Sequence, residues 1–348
     1  MTRKVVIRAD VSPWIGTGHL RRCAALGKRL REAGAQVHFL ARARDFEWQA
    51  IASPGADACV DLDWNATGAA DVQQVVEYAG ETGADRVILD HGGADEAYQL
   101  VLRDAGLRWM QFDGGASMPL WADWVVSMSP AADASAYRPL QRRAQTRLLL
   151  GPRYAIVREE FLQPQVREAP PAARRLLFTF GGADDRGACL ACLEALRELS
   201  AFEISILSGR FNPQASAIRA WLQAHPAVHA RLLLDEIDVA RRMSEAHIAI
   251  TAAGTTTFEL ALLGLPALLI QIADNQRGNA VAWDLLGVAV NLGPLAALDP
   301  GTLRRELISL AGDAVRRERM ARLGREAVDG RGADRLVQEL YPDLKRTA

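Results

Sequence analysis

Short runs of apolar and β-branched residues alternate with longer segments in which apolar residues recur at helical spacing. This alternation predicts strands separated by helices, and the earlier helices are expected around 19–33, 67–82 and 95–105. The strands predicted in the first half are Lys4–Arg8, Gln36–Leu40, Arg86–Asp90, Leu107–Phe112, Trp124–Ser127 and Arg147–Leu150. Because strands that alternate with helices form parallel sheets, the pattern indicates an α/β fold.

A polar, proline-rich segment at 162–172 breaks the alternation and has the composition of an interdomain linker. A second series of strands and helices follows it. The strands predicted there are Arg175–Thr179, Glu203–Leu207, Val228–Leu234, His247–Thr251, Ala267–Ile270 and Val288–Asn291. A helical pattern over 301–340 comes after the last of them. The sequence therefore predicts Rossmann-like domains at 1–161 and 173–330, with a C-terminal tail or helix at 331–348.

Two doubly wound domains of similar size each gather the carboxyl ends of their strands at one edge of a sheet. Ligands of such folds bind at these edges, so the sequence predicts a binding site in an interdomain cleft. Residues that directly follow a predicted strand are therefore the first candidates for chemistry.

The charges of the chain are nearly balanced, with 41 Lys and Arg against 42 Asp and Glu and a formal net charge of -1. A dedicated nucleic-acid binder carries an excess of basic residues, so we expect a small-molecule partner and no nucleic acid. Hydrophobic residues make up 49% of the chain, which is typical of a globular protein. The composition does not determine the oligomeric state, and it is compatible with a monomer.

Neither a membrane span nor an export signal is visible in the sequence. The most apolar stretch, 261–273, is interrupted by Gly264 and Pro266 and falls short of the roughly 20 residues that a span needs. Cys189 and Cys192 stand in an Ala- and Leu-rich helical pattern, which favours buried reduced thiols over a metal or redox motif. We therefore expect a cytoplasmic protein without stable membrane insertion.

The first strand leads into the most distinctive local motif of the chain. Asp10 follows the strand, and Gly16, Gly18 and His19 come at the start of the next helix. Glycines allow close backbone approach, and the unpaired N–H groups of a helix start attract an anion or a polar ligand. Imidazole groups titrate near neutral pH, so His19 is a candidate general base for water. The alternative is that His19 merely occupies a helix start.

Polar residues also follow two other strands of the first half. Asp90 and His91 end the strand that begins at Arg86, ahead of two glycines. They are candidates for the same cleft. The alternative is that Asp90 caps the following helix while the glycines form a turn. Asp113, after Phe112, is a third candidate at this edge.

Glycine-rich turns follow two strands of the second half. The first contains Gly181 and Gly182 ahead of a helix, and its backbone N–H groups are suited to a diphosphate. The second contains Gly254, Thr255 and Thr256, whose hydroxyls add further donors for phosphate. The alternative is that the threonines only cap the helix. The chain has no P-loop motif, so nothing supports hydrolysis of a nucleoside triphosphate.

Side chains suited to sugars stand beside these turns. Glu259, one helical turn inside the next helix, is a candidate ligand of a ribose diol, and a solvated charge is the alternative. Asn275 and Gln276 belong to an amide-rich loop after the strand Ala267–Ile270, where the alternative is an ordinary surface loop. Three polar turns at strand ends of one domain favour a shared site.

These motifs occur in the order known from one enzyme family. The chain resembles the UDP-2,4-diacetamido-2,4,6-trideoxy-β-L-altropyranose hydrolases of bacterial pseudaminic acid biosynthesis. The matching blocks span most of the chain and are Arg8-Ala-Asp10 with Gly16-Thr-Gly-His19, Leu89-Asp90-His91, Leu150-Gly-Pro-Arg-Tyr-Ala155 with Arg158-Glu-Glu-Phe161, Gly181-Gly-Ala-Asp184, Gly254-Thr-Thr-Thr-Phe-Glu259-Leu and Ala273-Asp-Asn-Gln276. The second half is also similar to the donor-binding domain of the glycosyltransferase that makes lipid II.

The resemblance implies a GT-B fold and a hydrolase that needs neither a metal nor a cofactor. Such an enzyme releases UDP from a UDP-linked amino sugar by water attack at the anomeric carbon, with inversion. His19 matches the catalytic histidine of the family, and we take Asp10 as a hypothesis for the group that orients it. By the same analogy Glu259 binds the ribose, and Asn275 with Gln276 faces the diphosphate-linked sugar.

The sequence departs from the family at two places. Gly92 stands where the family has a tyrosine after Asp-His, and Gly114 follows Asp113 where the family has paired aspartates. Loss of the phenol removes a donor and a wall of the pocket, which leaves the exact sugar open. Two other functions also stay open: a GT-B glycosyltransferase that uses a UDP-amino-sugar donor, and a catalytically silent nucleotide-sugar binder.

Overall fold

The chain divides into two compact units. The first consists of Met1–Arg158 and Gly330–Ala348, and the second is Glu159–Asp329, so the chain passes between the units twice. The sequence analysis predicts a single linker, at 162–172, and so only one crossing of the chain between the two domains. The computed structural model describes residues 3–11, 17–42, 47–63, 65–163, 170, 172–181, 185–210 and 212–344. Most of the predicted linker, 164–169 and 171, lies outside these residues.

The first unit is built around a parallel sheet. Its strands are β1 (Lys4–Ala9), β2 (Gln36–Ala41), β3 (Ala58–Asp61), β4 (Arg86–Asp90), β5 (Trp109–Phe112), β6 (Trp124–Ser127) and β7 (Arg147–Leu150). Across the described part of the chain, their order in the sheet is β3-β2-β1-β4-β5-β6-β7. The sequence predicts all of these strands except β3, a four-residue edge strand without a fully buried side chain.

Helices cover both faces of this sheet. They are α1 (Gly18–Glu32), α2 (Gln49–Ala52), α3 (Ala69–Thr82), α4 (Glu96–Asp104) and α5 (Ala134–Tyr137). On one face, apolar residues of α3 and α4 join Val6, Val87 and Trp109 of the sheet in one core. In α1, Leu20, Cys23 and Leu30 recur at helical spacing and are buried, because the helix packs on β1 and β2.

The second unit has a parallel sheet of its own. Its strands are β8 (Arg175–Thr179), β9 (Glu203–Ser208), β10 (Ala230–Leu234), β11 (Ile248–Ala252), β12 (Ala267–Gln271) and β13 (Ala289–Pro294). Within the described residues their order is β10-β9-β8-β11-β12-β13. The helices are α6 (Ala188–Leu196), α7 (Ala215–Ala224), α8 (Val239–Glu245), α9 (Thr256–Leu263), α10 (Arg277–Leu285), α11 (Pro300–Gly312) and α12 (Ala314–Ala327).

The strands and the core of the second unit follow the sequence pattern closely. All six strands lie where the alternation predicts them, and α11 and α12 account for most of the helical pattern after β13. Cys189 and Cys192 are buried free thiols in the core of this unit, as predicted. Among the helices that the structure describes, none has the length and apolar composition needed to cross a membrane.

The last helix, α13 (Gly332–Leu340), belongs to the first unit. It packs against α1, and Gly332 approaches the backbone so closely that a Cβ there would lie 2.1 Å from the carbonyl oxygen of Ala155. Just after the helix, the Tyr341 hydroxyl donates a hydrogen bond to Asp85 at 2.9 Å. The segment that the sequence predicts as a C-terminal tail or helix thus belongs to the first unit.

Each sheet reverses its strand order at one point, and this is where α/β folds bind ligands. In the first sheet the reversal lies between β1 and β4, where Ala9 pairs with Asp90. In the second it lies between β8 and β11, where Thr179 pairs with Thr251. Most motifs of the sequence analysis lie at the ends of these four strands, whereas Asp113 follows β5 and the loop with Asn275 and Gln276 follows β12.

Candidate active site

A histidine and a buried carboxylate meet at the reversal point of the first sheet. His19 lies in the first turn of α1 and Asp90 ends β4, and Nδ1 of the ring is 2.7 Å from Oδ1 of the carboxylate. The His19 side chain is 39% exposed, whereas that of Asp90 is 2% exposed. Nη2 of Arg22 also lies 3.0 Å from Nδ1. In the tautomer whose Nδ1 donates its proton to the Asp90 carboxylate, the second ring nitrogen, Nε2, is the proton acceptor.

Arg22, one helical turn after His19, holds the same carboxylate. Its Nε donates to Oδ2 of Asp90 at 2.5 Å, and its Nη2 donates to Oδ1. The guanidinium also lies over the Phe112 ring, 5.1 Å from its centroid. Burial by itself raises the pKa of the Asp90 carboxyl, but Arg22 and the His19 hydrogen bond outweigh burial and hold that pKa well below its ordinary value. Asp90 therefore stays ionised at neutral pH.

Sequence reasoning gave no role to Arg22, although a signal for it existed. His19 and Arg22 are three residues apart at the start of a predicted helix, a spacing that puts two side chains on one face. Cys23 also contacts the carboxylate, and its thiol donates to Oδ2 of Asp90 at 3.3 Å. Burial raises the pKa of that thiol well above its ordinary value, so Cys23 acts as a neutral donor.

Asp10 does not have the place beside His19 that the sequence analysis gives it. Its carboxylate forms an ion pair with Arg8, with Nη1 and Oδ1 2.7 Å apart, and lies 3.4 Å from Nη2 of Arg42. Two guanidinium groups thus compensate its charge within the unit. The hypothesis that Asp10 orients His19 is therefore corrected, because Asp90 is the carboxylate that contacts Nδ1 of the ring. Asp90 does not cap the helix that follows it, since the cap of α4 is Asp95.

Asp10 is part of a cluster of buried charged side chains in the first unit. Arg8, fully buried on β1, donates to Asp71 of α3 through Nε at 3.2 Å and Nη2 at 2.7 Å. The Tyr98 hydroxyl donates to the same carboxylate at 2.8 Å, and Arg42 pairs with it at 3.2 Å. The charges of the cluster balance, which is the condition under which buried ions are tolerated.

His91 packs against this cluster and is buried, whereas His19 is partly exposed. Its side chain is 1% exposed, its ring meets the edge of Tyr98, and the backbone N–H of Gly93 donates to Nδ1 at 3.2 Å. Burial, with the positive charge of Arg8, lowers the pKa of His91 to about 4. The ring is therefore neutral at pH 7 and carries its proton on Nε2.

The remaining candidate residues of the first unit are Gly16, Gly18 and Asp113. Gly18 begins α1 and is exposed, whereas Gly16 lies outside the described residues. Asp113 accepts hydrogen bonds from the backbone N–H groups of Gly115 and Ala116, at 3.0 and 2.8 Å, and from the Tyr137 hydroxyl at 2.8 Å. Its carboxylate stabilises a turn.

In the second unit, the turn after β11 stands beside the loop after β12. The carbonyl of Gly254 accepts from the Thr257 hydroxyl at 2.6 Å, and a Cβ at Gly254 would lie 3.9 Å from Nε2 of Gln276. Oε1 of Gln276 accepts from the N–H of Ile272 at 3.0 Å. Thr255 precedes α9 and, among the described contacts, its side chain makes no capping hydrogen bond. The structure thus brings Gly254 and Gln276 together.

The remaining candidates of the second unit lie on the same carboxyl side of the sheet. Gly181 is exposed after β8 with a φ of 101°, a conformation that favours glycine, and Gly182 lies outside the described residues. Thr256 is half-buried at the start of α9, Glu259 is half-buried on the same helix, and Asn275 is exposed. In the described part of the chain, no three His, Cys, Asp or Glu side chains are grouped to hold a metal ion.

Comparisons with known sequences support a resemblance to enzymes of UDP-linked sugars. No family model matches the chain. The UDP-2,4-diacetamido-2,4,6-trideoxy-beta-L-altropyranose hydrolase of Campylobacter jejuni is 24% identical over 288 residues, which are 80% of this chain and 94% of that protein. The UDP-N-acetylglucosamine--N-acetylmuramyl-(pentapeptide) pyrophosphoryl-undecaprenol N-acetylglucosamine transferase of Synechococcus is 32% identical over 209 residues, 55% of this chain and 56% of the transferase.

The chain spans only part of several relatives: 57% of one curated protein that it matches and 60% of another. Among solved structures, MurG of Acinetobacter baumannii has a TM-score of 0.69 at 17% identity and covers 98% of this chain and 100% of its own. This likeness confirms the predicted fold class, GT-B, with two parallel-sheet α/β domains. The resemblance to the hydrolase, inferred from the motifs, is confirmed as a resemblance.

Proposed function

We propose that this protein releases UDP from a UDP-linked 2,4-diacetamido-2,4,6-trideoxyhexose by water attack at the anomeric carbon. The observation that carries the proposal is the exposed His19 ring held at Nδ1 by the buried carboxylate of Asp90. A partly exposed histidine oriented in this way is suited to act as a general base. The hydrolase from Campylobacter jejuni, which aligns along most of its length, supports the choice of substrate. The reaction is a step in the making of pseudaminic acid.

In the proposed reaction, Nε2 of His19 takes a proton from water while the water oxygen bonds to the anomeric carbon. The bond between that carbon and the diphosphate oxygen breaks, and UDP leaves with the electron pair. Attack from the side opposite UDP inverts the configuration. Asp90 stabilises the imidazolium that forms, and Arg22 keeps Asp90 ionised and in place. The imidazolium then returns its proton to solvent.

We assign UDP binding to the second unit. The turns at Gly181 and Gly254 offer backbone N–H groups to the diphosphate, and Thr255 and Thr256 add hydroxyl donors. Glu259 is proposed to accept hydrogen bonds from the ribose hydroxyls. Asn275 and Gln276 are proposed ligands of the diphosphate-linked sugar.

The space around Gly92 and Gly114 affects which sugar the proposed site can accept. No described atom lies within 4 Å of a Cβ built at Gly92 or at Gly114, the positions where the sequence departs from the hydrolase family. A tyrosine at Gly92 would occupy part of this space. Both glycines are exposed, so donors with larger substituents are to be tested beside the family's own substrate.

The proposal is tested by incubating the protein with UDP-2,4-diacetamido-2,4,6-trideoxy-β-L-altropyranose in EDTA, with no acceptor added. We expect UDP and the free sugar in equal amounts, with the inverted anomer formed first. UDP release that needs an added acceptor would instead identify a transferase, a function that the 32% identity to the Synechococcus enzyme favours as the second candidate. UDP binding without release for any amino-sugar donor would identify a silent binder.

A further inference from the structure

A buried tryptophan of the second unit is linked to the turn after β11 through one threonine hydroxyl. Nε1 of Trp283, on α10, donates a hydrogen bond to Oγ1 of Thr257 at 3.0 Å, and this hydroxyl donates to the carbonyl of Gly254 at 2.6 Å. Trp283 is 1% exposed and Thr257 is 5% exposed. A hydroxyl has one proton to donate and accepts through its lone pairs, so the three groups form one directed chain of hydrogen bonds.

The position of the tryptophan is fixed by its surroundings. Its ring meets the edge of the Phe258 ring, with the two centroids 5.7 Å apart. Helix α10, which carries the tryptophan, begins directly after the loop with Asn275 and Gln276. The chain of hydrogen bonds therefore holds the helix that follows this loop against the first turn of α9.

The Thr257 hydroxyl also sets the direction of one peptide group in the turn. The described part of the chain has no cis peptide bond, and in a planar trans peptide the carbonyl and the next N–H point in opposite directions. The Gly254 carbonyl points towards the buried Thr257, so the N–H of Thr255 points away from it, out of the start of α9. Thr255 is exposed, and its N–H has no hydrogen-bond partner among the described residues. This donor is therefore available to a ligand.

Without the hydroxyl, this peptide group would be held weakly. Gly254 has no Cβ to restrict its backbone, and the N–H of Thr257 donates to its carbonyl at the longer distance of 3.2 Å. Loss of the hydroxyl would also leave the indole N–H of Trp283 buried without its acceptor. A buried donor without an acceptor is costly, so the turn is expected to rearrange.

We propose that Thr257 is a positioning residue for UDP, which directs the N–H of Thr255 towards the diphosphate through the carbonyl of Gly254. Thr257 is buried and does not touch UDP itself. The proposal rests on the assignment of UDP binding to the second unit. It goes beyond that assignment because it makes the affinity for UDP depend on a buried hydroxyl and on the tryptophan that holds it.

The test is calorimetric titration of UDP into the full chain and into two variants. Thr257→Val keeps the shape of the side chain without the hydroxyl, and it is expected to weaken UDP binding about tenfold. Thr257→Ser keeps the hydroxyl and removes only a methyl group, and it is expected to bind UDP nearly as tightly as the unsubstituted protein. Urea unfolding is measured in parallel, because a purely structural role would lower stability and leave the affinity for UDP unchanged.

Thr146→Val is the matched control. Thr146 is 7% exposed, and its hydroxyl donates to the carbonyl of Ala122 at 2.8 Å in the first unit. The control thus loses an equivalent buried hydrogen bond, and its affinity for UDP is expected to equal that of the unsubstituted protein. The proposal is overturned if Thr257→Val binds UDP as tightly as this control, if the control weakens equally, or if Thr257→Ser binds as weakly as Thr257→Val.

Trp283→Phe decides the matter should Thr257→Val fail to fold. It removes the indole N–H but keeps an aromatic ring, and it is expected to weaken UDP binding several-fold, whereas unchanged affinity would overturn the proposal. Failure of the unsubstituted protein to bind UDP would overturn the assignment of UDP to the second unit and this proposal with it. UDP binding without release of UDP from the sugar donor would contradict the proposed hydrolysis alone.

Discussion

Two carboxylates follow neighbouring strands of the first sheet, and their cation partners give them different roles. Asp90 is held by Arg22 and contacts His19, whereas Asp10 is held by Arg8 and Arg42. Both sequence positions are compatible with orienting a base. Only the contacts distinguish the carboxylate that touches the proposed base from the one that balances buried charge.

Asp90→Asn is expected to lower turnover by roughly one hundredfold. The amide cannot stabilise the imidazolium of His19, and it leaves the Arg22 guanidinium without its counter-charge. The measurement is kcat for UDP release, with circular dichroism to establish folding. Asp10→Asn is the matched control, with turnover near that of the unsubstituted protein and a lower unfolding free energy. A folded Asp10→Asn protein as inactive as Asp90→Asn would contradict this assignment.

His91 is expected to make stability depend on pH below neutrality. Its pKa is about 4 in the folded protein against 6.5 ordinarily, because burial and Arg8 oppose protonation more than Asp10 and Asp71 favour it. As pH falls below 6.5 the unfolded chain takes up this proton first, so stability falls down to about pH 4, by roughly 3 kcal/mol in total. Above pH 6.5 the group contributes no such dependence.

Urea unfolding of the native protein and of His91→Asn at pH 7.5 and pH 4.5 isolates this contribution. The native protein is expected to lose about 2 to 3 kcal/mol more than the variant between the two pH values. Equal losses in both proteins would show that His91 is not buried in its neutral form.

At the scale of elements, α1 brings His19 and Arg22 to Asp90, and its position depends on close packing with the turn Ser53–Gly55. A Cβ at Gly27 would lie 2.4 Å from the carbonyl oxygen of Gly55. A Cβ at Gly55 would lie 2.1 Å from the carbonyl oxygen of Ala24. Both distances are shorter than real contacts, so this approach requires glycine on each side.

Gly27→Ala is therefore expected to lower the unfolding free energy by about 1 to 3 kcal/mol, although alanine is the better helix former. Gly80→Ala, in the exposed part of α3 with no described atom within 4 Å of the new Cβ, is the matched control. It is expected to raise the unfolding free energy by about 0.5 to 1 kcal/mol. Denaturant unfolding measures both, and a stabilising Gly27→Ala would contradict the packing described here.

The elements that sequence patterning predicts well are those with a strong local signal. Buried strands such as β4 and β11 are continuous apolar runs bounded by turns, so their positions follow from sequence. β3 is short and partly exposed and gives no such signal. The choice between Asp90 and Asp10 depends on the contacts of Arg8, Arg22 and Arg42, which no local pattern contains.

At the scale of the whole molecule, the chain returns to its first unit after completing the second. Leu336 and Leu340 of α13 are fully buried there, although more than 170 residues of the second unit separate them from Arg158. A helical pattern at the end of a chain does not reveal which domain covers it. This is why the sequence predicts a tail or helix for that segment and assigns it to neither domain.

Leu336→Ala is expected to destabilise the first unit by about 2 to 5 kcal/mol. Leu307→Ala, a fully buried leucine of α11, removes the same atoms from the second unit and is the matched comparison. Hydrogen exchange followed by mass spectrometry locates the effect, with faster exchange expected in β1 and β4 for Leu336→Ala and in β8 and β11 for Leu307→Ala. Faster exchange of the second unit alone in Leu336→Ala would contradict the placement of α13.

The most direct test of the proposed chemistry compares UDP release by the native protein and by His19→Ala, in EDTA, with UDP affinity measured by calorimetry in parallel. We expect turnover to fall by roughly one hundredfold or more while UDP affinity stays nearly unchanged, because His19 acts on water and not on UDP. His38→Ala, at a half-buried histidine on β2 beside Tyr78, controls for the loss of an imidazole elsewhere in the unit. Undiminished turnover in His19→Ala would contradict the account.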